Sequence, residues 1–355
     1  MLPRRRQGAD AQEARESMSL RSVAEKANVS IMTVSRVLSG KGPVAAETRE
    51  RVLAVSEKLG FFPRRRRMAP TGDRQAGPMP AVAVLIDSAV SSAFLSELLL
   101  AIQRELSQNG FQCSVISFSG DYAGFLRALE GVRPPAAAGL LAVGHFTDQE
   151  VGGVIAANPA CVFVDYLPKP SLATPINVVA YNNVAAATLA TQWLAGSGRK
   201  RIALIQGPEE HNFSRAMREG FLAALNRADF EEGQLYTANF TPASGYEAMR
   251  QALAARPRPD AVFTTDEMAF GAIRAIREAG LRIPEDIAIM GCDGIELGKE
   301  LTPPLSTVAL DRQALGQRAV KRLVEILSSD KPTVEHILLA PRLVIRGVAA
   351  AGARA

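Results

Sequence analysis

Cysteine is scarce in this 355-residue chain. Cys113, Cys161 and Cys292 are scattered, and their spacing makes neither a disulfide framework nor a metal-ligand set. Histidine is equally scarce. His145, His211 and His336 lie far apart, with no H-E-x-x-H pair to hold a catalytic zinc. No apolar run approaches the roughly 18 residues of a membrane span. The start, MLPRRRQGADAQEARES, is basic but has no apolar core, so it is not a secretory signal. Nucleotide motifs are missing too: there is no G-x-G-x-x-G after the first strand and no Walker A loop. No G-x-S-x-G elbow supplies a nucleophile. These absences predict a reduced, cytoplasmic protein with no membrane partner, no metal, no cofactor and no catalytic residues, hence not an enzyme.

What is present is enough for real cores. Apolar residues make up 47% of the chain, and its length allows two or three domains at about 100–200 residues each. Charge is divided unevenly. Residues 1–67 hold 15 Lys/Arg against 7 Asp/Glu, whereas the remainder holds 26 against 29. A basic head on a mildly acidic body is the electrostatic footprint of a nucleic-acid-binding module.

The head contains SLRSVAEKANVSIMTVSRVL, from Ser19 to Leu38. Ser19 is a candidate N-cap, and Leu20, Val23, Ala24 and Ala27 recur at helical spacing. Asn28 tolerates the left-handed conformation that ends many helices. Ser30 can cap a second helix, Ile31–Leu38, with Val34, Val37 and Leu38 inward. Two helices joined by three residues form a helix-turn-helix, although pattern alone fits an ordinary helical pair equally well. A third helix follows in ETRERVLAVSEKLG, with Thr48, Val52, Val55 and Leu59 on one face and Gly60 as its stop. That third helix and the basic charge favour DNA.

The strings VAEKANVSIMTVSRVLSG, VAAETRERV and LGFFP resemble the head of the lactose/galactose repressor family of bacterial transcription regulators. The resemblance covers roughly residues 18–348. It implies a helix-turn-helix head plus an α/β body built from two doubly wound parallel-sheet subdomains, as in periplasmic binding proteins. The expected domains are a disordered extension, 1–17, a DNA-binding domain, 18–63, a hinge, 64–80, an effector-binding and dimerisation domain, 81–348, and a tail, 349–355. Met18, directly before the first helix, is a candidate natural start. Within the body the resemblance implies an N-subdomain of 81–181 plus 311–339 and a C-subdomain of 183–307 plus 341–348. The chain would cross between them near Asn182, near Val308–Asp311 and near Ala340–Arg342.

Alternating apolar strands and amphipathic helices from Ala81 onward support that body, beginning with the strand AVAVLID. Ser30, Ile31, Met32, Thr33, Ser35, Arg36, Thr48 and Arg49 are the expected DNA contacts, with Ile31, Met32 and Arg36 at base edges. Arg64, Arg65, Arg66 and Arg67 are expected on phosphates or in the minor groove. In the family, the hinge folds into a short helix that wedges a leucine into the minor groove. Counting from Pro63, Pro70 occupies the leucine position, so the hinge here is expected to act through arginine charge.

Ligands of open α/β sheets bind beyond the carboxyl ends of the strands. Polar groups stand there in this chain: Asp165, Thr265, Asp266 and Asp293. The adjacent pair Asp266–Glu267 reads more simply as a helix cap with a first-turn charge. The resemblance adds Phe94 and Leu95, Phe240, and Asp293 as ligand-facing positions, with core packing an equal reading for the two aromatics. Rings against apolar sugar faces and carboxylates on hydroxyls suit sugar recognition. Relatives commonly place an arginine three residues before Gly220, where this chain has Met217. Arg215 or Arg218 can replace it, or the ligand needs no guanidinium. The expected protein is a homodimeric repressor of a sugar or sugar-acid utilisation operon. It would bind near-palindromic operator DNA and a sugar, sugar acid or related metabolite. The alternative is a sugar-binding or sugar-processing protein that does not bind an operator.

Overall fold

The computed structural model describes residues 20–39, 44–58, 79–87, 93–118, 121–169, 172, 174–225 and 234–347. They form two compact units, a helical head and an α/β body. In the head, α1 (Leu20–Ala27), α2 (Ile31–Ser39) and α3 (Ala46–Lys58) close around Val23, Ala24, Ala27, Val34, Val37 and Val52. Leu20, Val29, Val44 and Val55 pack against that core. Asn28 takes the left-handed conformation at φ 51°, and the Val29 amide donates to the Ala24 carbonyl, 3.0 Å. Ser30 Oγ accepts the Thr33 amide at 3.0 Å, which caps α2. Ser19, the Leu38 side chain, Leu59, Gly60 and the hinge with Arg64–Arg67 and Pro70 lie outside the described residues.

The body holds two six-stranded sheets. The first contains β1 (Ala81–Asp87), β2 (Gln112–Phe118), β3 (Gly139–Val143), β4 (Cys161–Val164), β5 (Val178–Tyr181) and β11 (His336–Leu339). Their order is β11-β5-β4-β3-β1-β2, and every pairing is parallel. The second contains β6 (Ile202–Gln206), β7 (Gln234–Thr237), β8 (Ala261–Phe263), β9 (Ala288–Asp293), β10 (Ser306–Ala309) and β12 (Arg342–Val344). Its order is β12-β10-β9-β8-β6-β7, parallel except where β12 runs antiparallel to β10. Helices α4 (Ala93–Gln108), α5 (Tyr122–Val132), α6 (Asp148–Ala157) and α11 (Arg312–Ser328) accompany the first sheet. Helices α7 (Asn183–Gly196), α8 (Asn212–Leu225), α9 (Pro242–Ala254) and α10 (Asp266–Glu278) accompany the second.

The continuous apolar runs become the central strands, because covering helices take both faces out of water. All residues of β3 and β4 are buried. Helix starts carry side-chain caps: Thr147 with Glu150 forms a capping box on α6, and Asn182, Thr241 and Thr265 cap α7, α9 and α10. Gly271 lets α9 and α10 approach with backbones in contact, since a Cβ there would overlap the Pro242 carbonyl oxygen.

The chain passes between the sheets three times: at Asn182, at Leu310–Asp311 and at Ala340–Pro341. These passages bring the carboxyl ends of both sheets toward one cleft. Arg312 ties the second passage down. It pairs with Glu97 of α4 and donates to the carbonyls of Asp293, Gly294 and Leu310, so one guanidinium holds both subdomains. Among the described residues no helix is long and apolar enough to cross a membrane.

Candidate effector cleft and DNA-reading helix

A cavity of about 90 Å³, partly open to solvent, lies between the strand ends. Phe94, Asp165, His211, Phe213, Phe240, Thr265, Glu267, Asp293 and Leu310 line it. Each position follows from the topology: Asp165 comes directly after β4, Asp293 ends β9, and Thr265 caps α10 just beyond β8. Phe94 sits in the first turn of α4, and Phe240 follows β7 at φ 65°. The tip of the Phe240 ring lies against Gly207, where any side chain would displace it.

The polar lining is acidic. Asp165 Oδ1 is sealed from solvent and has no hydrogen-bond partner among the described residues, although part of the residue is accessible. Burial pushes its pKa up to about 7. Burial, with Asp266 and Asp165 nearby, also pushes Asp293 well above the usual carboxylate range. Glu267 Oε1 accepts the Ala93 amide at 2.8 Å, linking the start of α4 to the start of α10 across the cleft. None of the nine lining residues is Lys or Arg.

Histidine closes the other side. His145, just after β3, stacks on His211, just before α8, with ring centroids 4.7 Å apart at 28°. His145 Nδ1 lies 2.8 Å from Asn212 Oδ1, and Asn212 Nδ2 donates to the Asp165 carbonyl at 3.4 Å. Arg215 Nη2 donates to the Leu167 carbonyl at 3.4 Å. Burial, followed by His145 and Arg215, pushes the His211 pKa down to about 3, so its imidazole is neutral.

Five of the residues singled out from sequence therefore line the cavity: Phe94, Asp165, Phe240, Thr265 and Asp293. Arg215 is outside the lining, with its guanidinium on the Leu167 carbonyl. Phe240 also packs on the core of the second sheet, so the same ring lines the cavity and packs the core. Four others are placed elsewhere. Leu95 is half-buried on α4 outside the lining, Met217 is buried on α8, and Arg218 is exposed. Asp266 is fully buried: Oδ1 accepts from Thr307 Oγ1 and Oδ2 from the Ile295 amide, both at 2.7 Å. It buckles the loop after β9, and the cap of α10 is Thr265 rather than Asp266. His145, His211, Phe213, Asn212 and Arg312 escaped the sequence reading. The signal available was weak: His145 lies just beyond an apolar run, the β3 strand end.

On the head, α2 exposes Ile31 at 49% and Met32 at 63%, unusual for large apolar side chains on a helix with a buried opposite face. Arg36 is exposed on the same helix, while Thr33, Thr48 and Arg49 are half-buried and Ser30 is exposed. The Ser35 side chain lies outside the described residues.

Residues 19–64 match the family described as "Bacterial regulatory proteins, lacI family", and residues 176–347 match "Periplasmic binding protein-like domain". The ribose operon repressor of Escherichia coli (strain K12) is 31% identical over 336 residues, covering 93% of this chain and 99% of that one. The chain belongs to the lacI family of bacterial regulatory proteins. The PurR repressor of Pasteurella multocida (strain Pm70) is 29% identical over 333 residues, 92% of this chain and 97% of that one. Among solved structures, a Lac repressor dimer bound to operator and an anti-inducer superposes with TM-score 0.69 at 28% identity. It covers 94% of this chain and 99% of that one. A transcriptional regulator CelR–cellobiose complex gives TM-score 0.70 at 27% identity, covering 93% and 99%. This lacI-family protein thus carries the DNA-binding domain and the two-subdomain α/β body of transcriptional repressors.

Proposed function

We propose that this lacI-family protein is a homodimeric repressor whose cleft binds a neutral sugar. The observation that carries the ligand class is the cavity itself: aromatic rings and three carboxyl groups, with no Lys or Arg in the lining. Rings cover apolar sugar faces, and carboxyl groups take hydroxyl hydrogen bonds. An anionic sugar acid would find no Lys or Arg in the lining to balance its charge, which disfavours it. The ribose operon repressors among the relatives support a sugar. The operator-bound Lac repressor dimer supports a two-fold assembly on a near-palindromic site.

On DNA, Ile31, Met32 and Arg36 of α2 read base edges, with Ser30, Thr33 and Ser35 beside them. Thr48 and Arg49 hold phosphates, and Arg64–Arg67 hold phosphates or enter the minor groove. Sugar binding favours one arrangement of the two subdomains over another, and this differential affinity couples the cleft to DNA binding.

The test is a thermal-shift and calorimetric screen of the full chain with D-ribose, D-glucose, D-gluconate and adenine, alongside gel shifts on operator-like duplexes. A ligand at 100 times its Kd adds about 2.7 kcal/mol of stability. Binding of D-gluconate or adenine without either neutral sugar would overturn the ligand class. DNA affinity that does not fall with salt would overturn the DNA-binding reading.

A further inference from the structure

Met217 of α8 is buried and lies outside the cavity lining. Arg215 lies outside it too, with its guanidinium on the Leu167 carbonyl. Apart from His211, no lining residue offers a side-chain N–H to an oxygen of the ligand.

We propose that His211 is a specificity-determining residue whose Nε2–H is a fixed hydrogen-bond donor to an oxygen of the effector. This rests on the neutral-sugar reading above and deepens it.

The tautomer follows from contacts on both sides of the ring. His211 Nδ1 accepts the Phe213 amide at 3.2 Å, so its lone pair is engaged there and carries no proton. The ring is neutral, because burial and the neighbouring His145 and Arg215 oppose its charging. The acidic groups of the cavity, Asp165, Glu267 and Asp293, share the lining with it. The single proton therefore resides on Nε2, which has no hydrogen-bond partner among the described residues.

The ring is also held in orientation. It stacks on His145 at 4.7 Å and meets the Phe240 ring edge-on, centroids 5.0 Å apart at 68°. His145 is itself fixed: Asn212 Nδ2 donates to the Asp165 carbonyl, which turns Oδ1 toward His145 Nδ1. The clamp uses His145 and Asp165 from the first sheet and His211 and Asn212 from the second. The donor's orientation thus depends on contacts between the two subdomains, which links recognition to their arrangement. Among the lining residues, His211 alone offers a side-chain N–H.

Three histidines make the tautomer directly measurable. The full chain is labelled with 15N-histidine, and ring signals are assigned with His211→Phe and with His336→Gln, an exposed position. The expected result is an Nε2–H tautomer for His211, unchanged from pH 8 to pH 5. An Nδ1–H tautomer, or protonation in that range, overturns the assignment. D-ribose affinity is then measured by calorimetry for the wild type, His211→Phe and His211→Gln. Phe keeps a ring to stack but removes the donor, and is expected to weaken binding about 5- to 150-fold. Gln restores an N–H and is expected to recover part of the loss. Equal D-ribose affinity in the wild type and His211→Phe overturns the proposal. Failure of the wild type to bind D-ribose or D-glucose overturns the sugar reading alone, and the tautomer measurement still decides the donor.

Discussion

Replacing Asp165 with Asn is expected to stabilise the body at pH 8 and to change little at low pH. The structural cause is Oδ1, sealed from water and without a hydrogen-bond partner among the described residues. Ionising such a carboxyl is costly, and burial raises its pKa from 3.8 to about 7. The direction of the pH effect follows from proton counts. Between these two values the folded state binds more protons at this group than the unfolded state, so stability falls as pH rises. Between pH 5 and pH 8 the loss from Asp165 is about 3 kcal/mol, at 1.36 kcal/mol per pKa unit. Asn cannot ionise, so its pH profile should lack that slope. Asp266 and Asp293 also have raised values, so the wild type will show a steeper total dependence than Asp165 alone provides. The measurement is therefore a difference: urea midpoints of wild type and Asp165→Asn at pH 5 and pH 8, with equal m-values as the control for compactness. If the two profiles run parallel, Asp165 is hydrated or already ionised in the fold, and desolvation is the wrong account. A saturating sugar should reduce the difference, because a hydroxyl donor to the carboxylate stabilises the charged form.

Other expectations follow from packing and surface chemistry. Val34→Ala in the head core should cost about 2 kcal/mol and abolish operator binding in gel shifts at a temperature where sugar binding by the body persists. Gly271→Ala should destabilise the second subdomain by about 3 kcal/mol in a thermal melt, because its Cβ overlaps backbone of α9. Arg36→Ala should leave folding unchanged and lose about 1–3 kcal/mol of discrimination at one base pair per half-site. Binding assays on single-base operator variants would detect that loss.

The helix-turn-helix was legible because each of its determinants is local. Asn28 ends α1, Ser30 caps α2, and the spacing of Val23, Ala27, Val34 and Val37 defines a buried face within a few turns. Central strands such as Gly139–Val143 were legible for the same reason: burial on both faces leaves an unbroken apolar run. The edge strands Gln234–Thr237, His336–Leu339 and Arg342–Val344 give no such run, since one side of each remains partly exposed. Local signals also place Asp165 and Asp293 at strand ends, where cleft groups belong. They do not say which way a carboxyl turns. Asp266 and Glu267 are neighbours on one helix start, yet one buckles a loop beneath the cavity and the other lines it.

The contacts that only tertiary structure decided are those between the two sheets. His145 meets His211, Asn212 meets Asp165, and Arg312 meets both Glu97 and the Asp293 loop because the chain passes between the sheets three times. Periodicity reports which face of an element is buried and nothing about which distant element covers it. The acidic, histidine-clamped character of the cleft therefore emerged only when the two sets of strand ends were brought together.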